Sequence, residues 1–307
     1  MLDFSSFPQA SWLRWAAARP EDADLLIMGI PFDNAVSLNK GAAQAPKRLR
    51  DLSIDLSDTT EDFHEIRKGI LYDYGDVHYD LHWERYFALL QERAEELMRT
   101  GRRCLFLGGD HSVTIPLHKA FGAVHREEKI GIVHMDAHYD LCPAYDGSAW
   151  SHACTEARAL EDVVQGRDLT FVGVRVAEVD ELELLRAHPD IRTWRAADVH
   201  REGAEAVAEA LRRRYENYDA VYLTLDIDVL DPAYAPGTGT PASGGLTSRE
   251  LIELFRRVLR TLPVRAMDLV EVAPPLDVND ITSWAALRII HELFGFVSDS
   301  GKDAIRG

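Results

Sequence analysis

Three short segments gather the residue types that bind metal ions. Asp136, His138 and Asp140 stand two apart in Asp136-Ala137-His138-Tyr139-Asp140, and Asp226 and Asp228 stand two apart in Asp226-Ile227-Asp228. In an extended chain, residues at i, i+2 and i+4 point to one face. His111 follows Gly108-Gly109-Asp110, and a glycine pair lets backbone come close. Any one of these residues alone reads as a strand-end cap or an ordinary hydrogen-bonded histidine. As a set that plain reading fails, because aspartates gathered together resist ionising unless cations sit among them. Four carboxylates match the charge of two divalent ions. Asp and His donors without thiolate favour Mn²⁺, with Fe²⁺, Co²⁺, Ni²⁺ or Zn²⁺ behind it. Two such ions ~3.5–4 Å apart share an oxygen and lower the pKa of a bridging water, which makes a hydroxide nucleophile at neutral pH.

Something must bring these segments together. The apolar runs 25–29, 104–108, 130–134, 169–173, 220–225 and 264–269 read as buried strands of a mostly parallel sheet. Between them, 86–100, 204–215 and 248–260 carry helical periodicity. Strand and helix alternating implies a three-layer α/β/α sandwich, whose ligands bind beyond the carboxyl ends of the strands. The polar clusters sit where that rule puts them: His111 after Leu105-Phe106-Leu107, Asp136 after Ile132-Val133, Asp226 after Leu223-Thr224-Leu225, and Glu271 after Leu269-Val270. His134, inside an apolar run, and His118, on a helical stretch, read as structural. Asp231 reads as fixing the turn before Pro232.

The chain has 307 residues, 46% of them apolar, enough for one large core. With no linker, repeat or low-complexity stretch, a single domain over 1–307 is expected. A net charge of −17 excludes a nucleic-acid partner and suits a small cation. Cys104, Cys142 and Cys154 make neither a CxxC pair nor a disulfide framework. The start lacks the basic region and apolar run of a secretory signal, and no stretch is apolar enough to span a bilayer. A cytoplasmic protein with no membrane partner is expected.

The segments Gly108-Gly109-Asp110-His111-Ser112, Asp136-Ala137-His138-Tyr139-Asp140 and Asp226-Ile227-Asp228-Val229-Leu230-Asp231-Pro232 resemble the three signature motifs of the ureohydrolases, the family of arginases and agmatinases. Ala235-Pro236-Gly237-Thr238-Gly239-Thr240-Pro241, Gly244-Gly245-Leu246-Thr247, Gly29-Ile30-Pro31-Phe32-Asp33 and Glu271-Val272-Ala273-Pro274 are similar to the agmatinase branch. The likeness runs from about residue 25 to 295. It implies an arginase-like fold and two divalent ions, Mn²⁺ first, held by His111, Asp136, His138, Asp140, Asp226 and Asp228. Asp136, Asp140 and Asp228 would be shared or bridging. Asp140 would also carry a proton to the leaving amine. His152 matches the family's proton-shuttle histidine, and Glu271 the acid that holds the guanidinium. The implied reaction cleaves a guanidino compound to urea and an amine, within a trimer or hexamer.

Two loops depart from the family pattern: Leu38-Asn39-Lys40-Gly41, and His152-Ala153-Cys154-Thr155-Glu156-Ala157-Arg158. Ser148-Ala149-Trp150-Ser151 lacks the Asn that arginases place before this histidine, which points away from arginine. Agmatine is the expected substrate, ahead of guanidinobutyrate, guanidinopropionate or arginine. Trp150 would cover its methylene chain or amine. A single-zinc deacetylase of related fold would need adjacent histidines, and no His-His pair occurs. A non-catalytic metal-binding protein would have no reason to keep all six ligands and Glu271.

Overall fold

The apolar runs become the interior of one sheet. The computed structural model describes residues 4–5, 12 and 14–304. Its strands are β1 (Phe4–Ser5), β2 (Leu25–Gly29), β3 (Leu71–Val77), β4 (Arg103–Leu107), β5 (Ile130–Met135), β6 (Leu169–Val174), β7 (Arg192–Arg195), β8 (Ala220–Asp226) and β9 (Val264–Val270). They lie in the order β1-β3-β2-β4-β9-β8-β5-β6-β7. β1 is antiparallel to β3, and the remaining pairings are parallel. The helices are α1 (Ala45–Leu52), α2 (Trp83–Met98), α3 (Thr114–Val124), α4 (Thr155–Asp162), α5 (Val179–Ala187), α6 (Ala196–Glu202), α7 (Ala204–Arg214), α8 (Ser248–Thr261) and α9 (Ile281–Ala304). Among the described residues, no helix is long and apolar enough to cross a membrane.

Alternation along the strands divides the core in two. Phe106, Ile132, Tyr222 and Ala266 pack on one face with Tyr86 and Leu90 of α2, Leu117 and Phe121 of α3, and Ala159 of α4. Leu105, Val133, Leu223 and Met267 pack on the other with Leu49 of α1, Leu211 of α7, Phe255 of α8 and Phe294 of α9. This is the expected three-layer sandwich.

Three strands were not legible as apolar runs. β7 is a short edge strand with Arg192 and Arg195 exposed, the kind of charged edge that blocks further pairing. β3 carries Tyr72, Asp73 and Tyr74 half-buried in its middle, and β1 is two residues long. The expected helices form with shifted ends, α2 starting at Trp83 instead of Tyr86. At α8, Thr247 and Glu250 exchange side-chain and backbone hydrogen bonds as a capping box.

The order β4-β9-β8-β5 decides function. It sets side by side the ends of four strands, the one that closes with Asp226 and the three that precede His111, Glu271 and Asp136.

Candidate metal centre

Each candidate ligand is delivered at the end of a strand or by the turn beyond it. β5 ends at Met135, so Asp136, His138 and Asp140 are not successive residues of one extended strand. Their convergence comes from a bend in which Asp140 takes φ +52°. Such left-handed backbone at a non-glycine residue is costly and tends to mark functional sites. The Asp140 carbonyl accepts the Glu156 and Ala157 amides at 2.9 and 3.3 Å, which ties the bend to α4. Asp226 closes β8, and its Oδ1 accepts the Asp228 amide at 2.8 Å across a 3-10 turn. Asp110 caps the turn that presents His111, accepting the Ser112 amide at 3.0 Å.

Gly109 has a steric reason. A Cβ there would stand 1.7 Å from the Phe32 carbonyl oxygen. Gly109→Ala must push the His111 turn away from that backbone. It is expected to cost about 3 kcal/mol or more, read as a lowered thermal unfolding midpoint with reduced metal content.

The side chains meet closely. His111 Nδ1 lies 3.1 Å from Asp136 Oδ2, 2.9 Å from Asp140 Oδ2 and 3.4 Å from Asp226 Oδ2. His138 Nδ1 lies 3.3 Å from Asp136 Oδ1 and 3.1 Å from Asp228 Oδ2. Two groups of possible ligands result, one of His111, His134, Asp136 and Asp140 and one of Asp136, His138 and Asp228, and Asp136 belongs to both. His111 Nδ1 and Asp228 Oδ2 are buried and make no hydrogen bond of acceptable geometry. Donor atoms converging without bonding one another suit cations placed between them.

The histidine tautomer agrees. Thr224 Oγ1 donates to Asp268 Oδ1 at 2.6 Å, so it must accept at 2.8 Å from His111 Nε2–H. That leaves the Nδ1 lone pair facing the carboxylates.

Burial raises the Asp136 pKa, but bonds from His111, His134 and His138 outweigh it and hold it well below the usual carboxylate range, while the groups around it shift toward their protonated forms. Burial, then the neighbouring Asp228 and Asp136, push Asp226 well above the usual carboxylate range. Burial and Asp136 raise Asp228. Burial lowers the His138 pKa, but Asp228 and Asp136 outweigh it and raise it to about 12. His111 is likewise raised, against burial, by Asp136, Asp140 and Asp226. These last four shifts favour the protonated forms, and metal binding must expel those protons. Divalent-metal affinity is therefore expected to rise with pH through neutrality and on into the alkaline range, since His138 keeps its proton to about 12, as measured by calorimetric titration of metal-free protein. A flat profile would contradict the ligand set.

A second polar row lies one step down the same strand faces. His134, Thr224 and Asp268 are in register across β5, β8 and β9. His134 Nε2 contacts Asp136 Oδ2 at 3.0 Å and its Nδ1 contacts Glu156 Oε1 at 2.9 Å. Asp268 accepts bonds from Thr114, Tyr222 and Thr224. His134 thus holds a candidate ligand in place, a role its position inside an apolar run did not suggest. The available signal was a polar residue two positions before each strand-end aspartate. His118 is buried, with no hydrogen bond to either ring nitrogen. Asp231 does fix its turn, accepting the Ala233, Gly244 and Gly245 amides.

Above the cluster opens a cavity of about 170 Å³, lined by His138, Asp140, His152, Glu178, Glu181 and Asp226 among others. Glu271, 2% exposed and also in left-handed backbone at φ +60°, stands beside it. Its Oε1 accepts the His111 amide at 2.9 Å and meets His152 Nδ1 at 3.1 Å. Its Oε2 faces Gly239, where an added Cβ would sit 3.6 Å away. The Ser37 amide donates to His152 Nε2 at 3.1 Å, which makes Nδ1 the protonated nitrogen of a neutral ring. Burial lowers the His152 pKa and Glu271 outweighs it, drawing it to about 9. A proton on Nε2 would nevertheless have to displace the Ser37 amide. The structure thus brings the six candidate ligands, His152 and Glu271 together. Trp150 lies apart from them, against Trp83 and Phe87 in an adjoining cavity. Cys104, Cys142 and Cys154 are free and buried.

Comparison with known proteins agrees with this geometry. A family model described as Arginase family matches residues 23–295. An agmatinase of Neisseria meningitidis serogroup C is 34% identical over 288 residues, covering 92% of this chain and 89% of that protein. An agmatinase of Bacillus subtilis (strain 168) is 32% identical over 289 residues, covering 92% and 95%. Among solved structures, the agmatine ureohydrolase of Thermoplasma volcanium has a TM-score of 0.84 at 27% identity, covering 97% of each chain. The proclavaminate amidino hydrolase of Streptomyces clavuligerus also has a TM-score of 0.84, at 29% identity, covering 96% of this chain and 98% of that chain.

Proposed function

We propose that this chain, which belongs to the arginase family and is a ureohydrolase, hydrolyses agmatine to putrescine and urea. The observation that carries the reading is the pair of ligand groups sharing Asp136 beneath an acidic cavity. His111, Asp136, His138, Asp140, Asp226 and Asp228 hold two divalent ions, with Mn²⁺ the first choice for these donors. When bound, the ions supply an activated water and a Lewis acid.

The chain's own groups do the rest. Glu271 Oε1 is committed to the His111 amide and His152, so Oε2 receives the guanidinium through a charge-assisted bond. The leaving amine needs a proton, and Asp140, on the cavity wall, would accept the one released by the attacking water and pass it on. His152, held between Glu271 and Ser37, exchanges protons with solvent at the mouth.

Cavity charge supports agmatine over guanidino acids. Beyond the ligands Asp140 and Asp226, the wall carries Glu178 and Glu181, the latter's pKa raised by burial to about 7, with no lysine or arginine among its lining residues. Such a wall attracts a dication and repels a substrate ending in carboxylate. The agmatinase names of the 32–34% identical relatives point the same way. We place the enzyme in the cytoplasm as a homo-oligomer, each chain one domain over 1–307. The test is urea release by the Mn²⁺-loaded protein from agmatine, arginine, guanidinobutyrate, guanidinopropionate and guanidine. Agmatine is expected to give the highest kcat/KM. A guanidino acid turned over faster would overturn the assignment.

A further inference from the structure

The metal cavity has a neighbour. A second cavity, of about 270 Å³, is walled by Phe32, Trp83, Phe87 and Trp150. Ser37 and Tyr145 line both cavities, so the two spaces adjoin across these two residues. The loops that border it, 34–41 and 145–151, include or adjoin the stretches that depart from the family pattern.

The second cavity has an apolar character that the first lacks. Its aromatic rings are braced against one another: Trp83 and Trp150 centroids are 5.5 Å apart, Phe87 and Trp150 5.8 Å, and Trp83 and Phe87 5.8 Å. The polar groups on its wall are largely committed. Asn34 donates to the Tyr79 hydroxyl and accepts from Lys40, Ser151 donates to the Ala35 carbonyl, and the Ser148 hydroxyl accepts the Trp150 amide. Asp146 lines the space but is itself exposed to solvent. Lys119 sits over the Trp150 ring at 5.0 Å, so this indole already has a cation and a second one beside it would be repelled. Trp83 remains 38% exposed, an indole surface that gains free energy when something flat and apolar covers it.

We propose that this aromatic cavity is a second substrate subsite, and that the enzyme accepts guanidino compounds whose alkyl tether ends in an aryl group as well as agmatine. The acidic cavity receives the guanidinium and the aromatic one receives the ring. The proposal rests on the metal cavity being the guanidinium seat. It goes beyond agmatine, whose ammonium would be repelled by the Lys119 cation already over Trp150.

The experiment compares 4-phenylbutylguanidine with butylguanidine as ligands of the Mn²⁺-loaded protein by isothermal titration calorimetry. The aryl compound is expected to bind about three- to tenfold more tightly. Trp83→Ala is expected to remove that preference, and Trp83→Phe, which keeps an aromatic face, to retain most of it. Equal affinities in the wild type would overturn the proposal. So would a preference unmoved by Trp83→Ala, or a Trp83→Ala effect confined to oligomeric state, which would mean that a second copy of the chain covers the patch. Urea release from agmatine, measured alongside, separates the two readings. Aryl preference without agmatine turnover would sink the agmatine assignment and leave the subsite standing. Agmatine turnover without aryl preference would do the reverse.

Discussion

Asp228→Ala is expected to abolish urea release, by at least about a thousandfold in kcat, and to lower bound metal per chain. Asp228 is 1% exposed. Its Oδ1 accepts the Ala137 amide at 3.1 Å, and its Oδ2 lies 3.1 Å from His138 Nδ1 without a hydrogen bond. Truncation takes one donor from the group Asp136, His138 and Asp228, leaving two where at least three are needed to grip an ion. It also strands the Ala137 amide, so loss of fold must be separated from loss of ligand. Asp228→Asn does this. Its carbonyl oxygen keeps the Ala137 bond while the negative charge disappears. The Asn variant is expected to unfold near the wild-type temperature yet bind less metal and release almost no urea. Full turnover in either variant would remove Asp228 from the ligand set.

Glu271→Gln should leave metal content intact and lower kcat/KM for agmatine by about a hundredfold or more. The amide oxygen can replace Oε1 as acceptor for the His111 amide and for His152 Nδ1. The amide nitrogen then takes the place of Oε2 beside Gly239, and presents N–H groups to the N–H groups of the guanidinium. A charge-assisted contact becomes a repulsive one at a buried position. Unchanged kcat/KM would mean that the guanidinium is seated elsewhere. The two substitutions separate two tasks, since the first empties a metal site and the second spares it.

The candidate ligands were readable because their chemistry is local to short motifs. Aspartates and histidines mixed at strand ends can coexist at close range chiefly by holding cations. The strands before them are largely buried on both faces and so mostly apolar, apart from the row of His134, Thr224 and Asp268. The same locality made β1, β3 and β7 hard to see. Edge positions and mixed surfaces dilute the apolar signal, and nothing in Arg192-Thr193-Trp194-Arg195 announces a strand until β6 lies beside it.

From the chain alone follow the donor types, their order and the layered architecture, because each depends on residues adjacent in sequence. Folding added what depends on residues far apart. The placement of β9 and β8 between β4 and β5 brings four strand ends to one rim. The row of His134, Thr224 and Asp268 exists only through register between strands. Asp140 and Glu271 reach the site through left-handed backbone that the extended-strand argument did not anticipate. Trp150 joins Trp83, far earlier in the chain, because the start of α2 packs against the loop before His152. Spacing along a chain reports what one segment can present. Which segments face one another depends on long-range packing, and that packing placed the aromatic cavity beside the candidate ligand cluster.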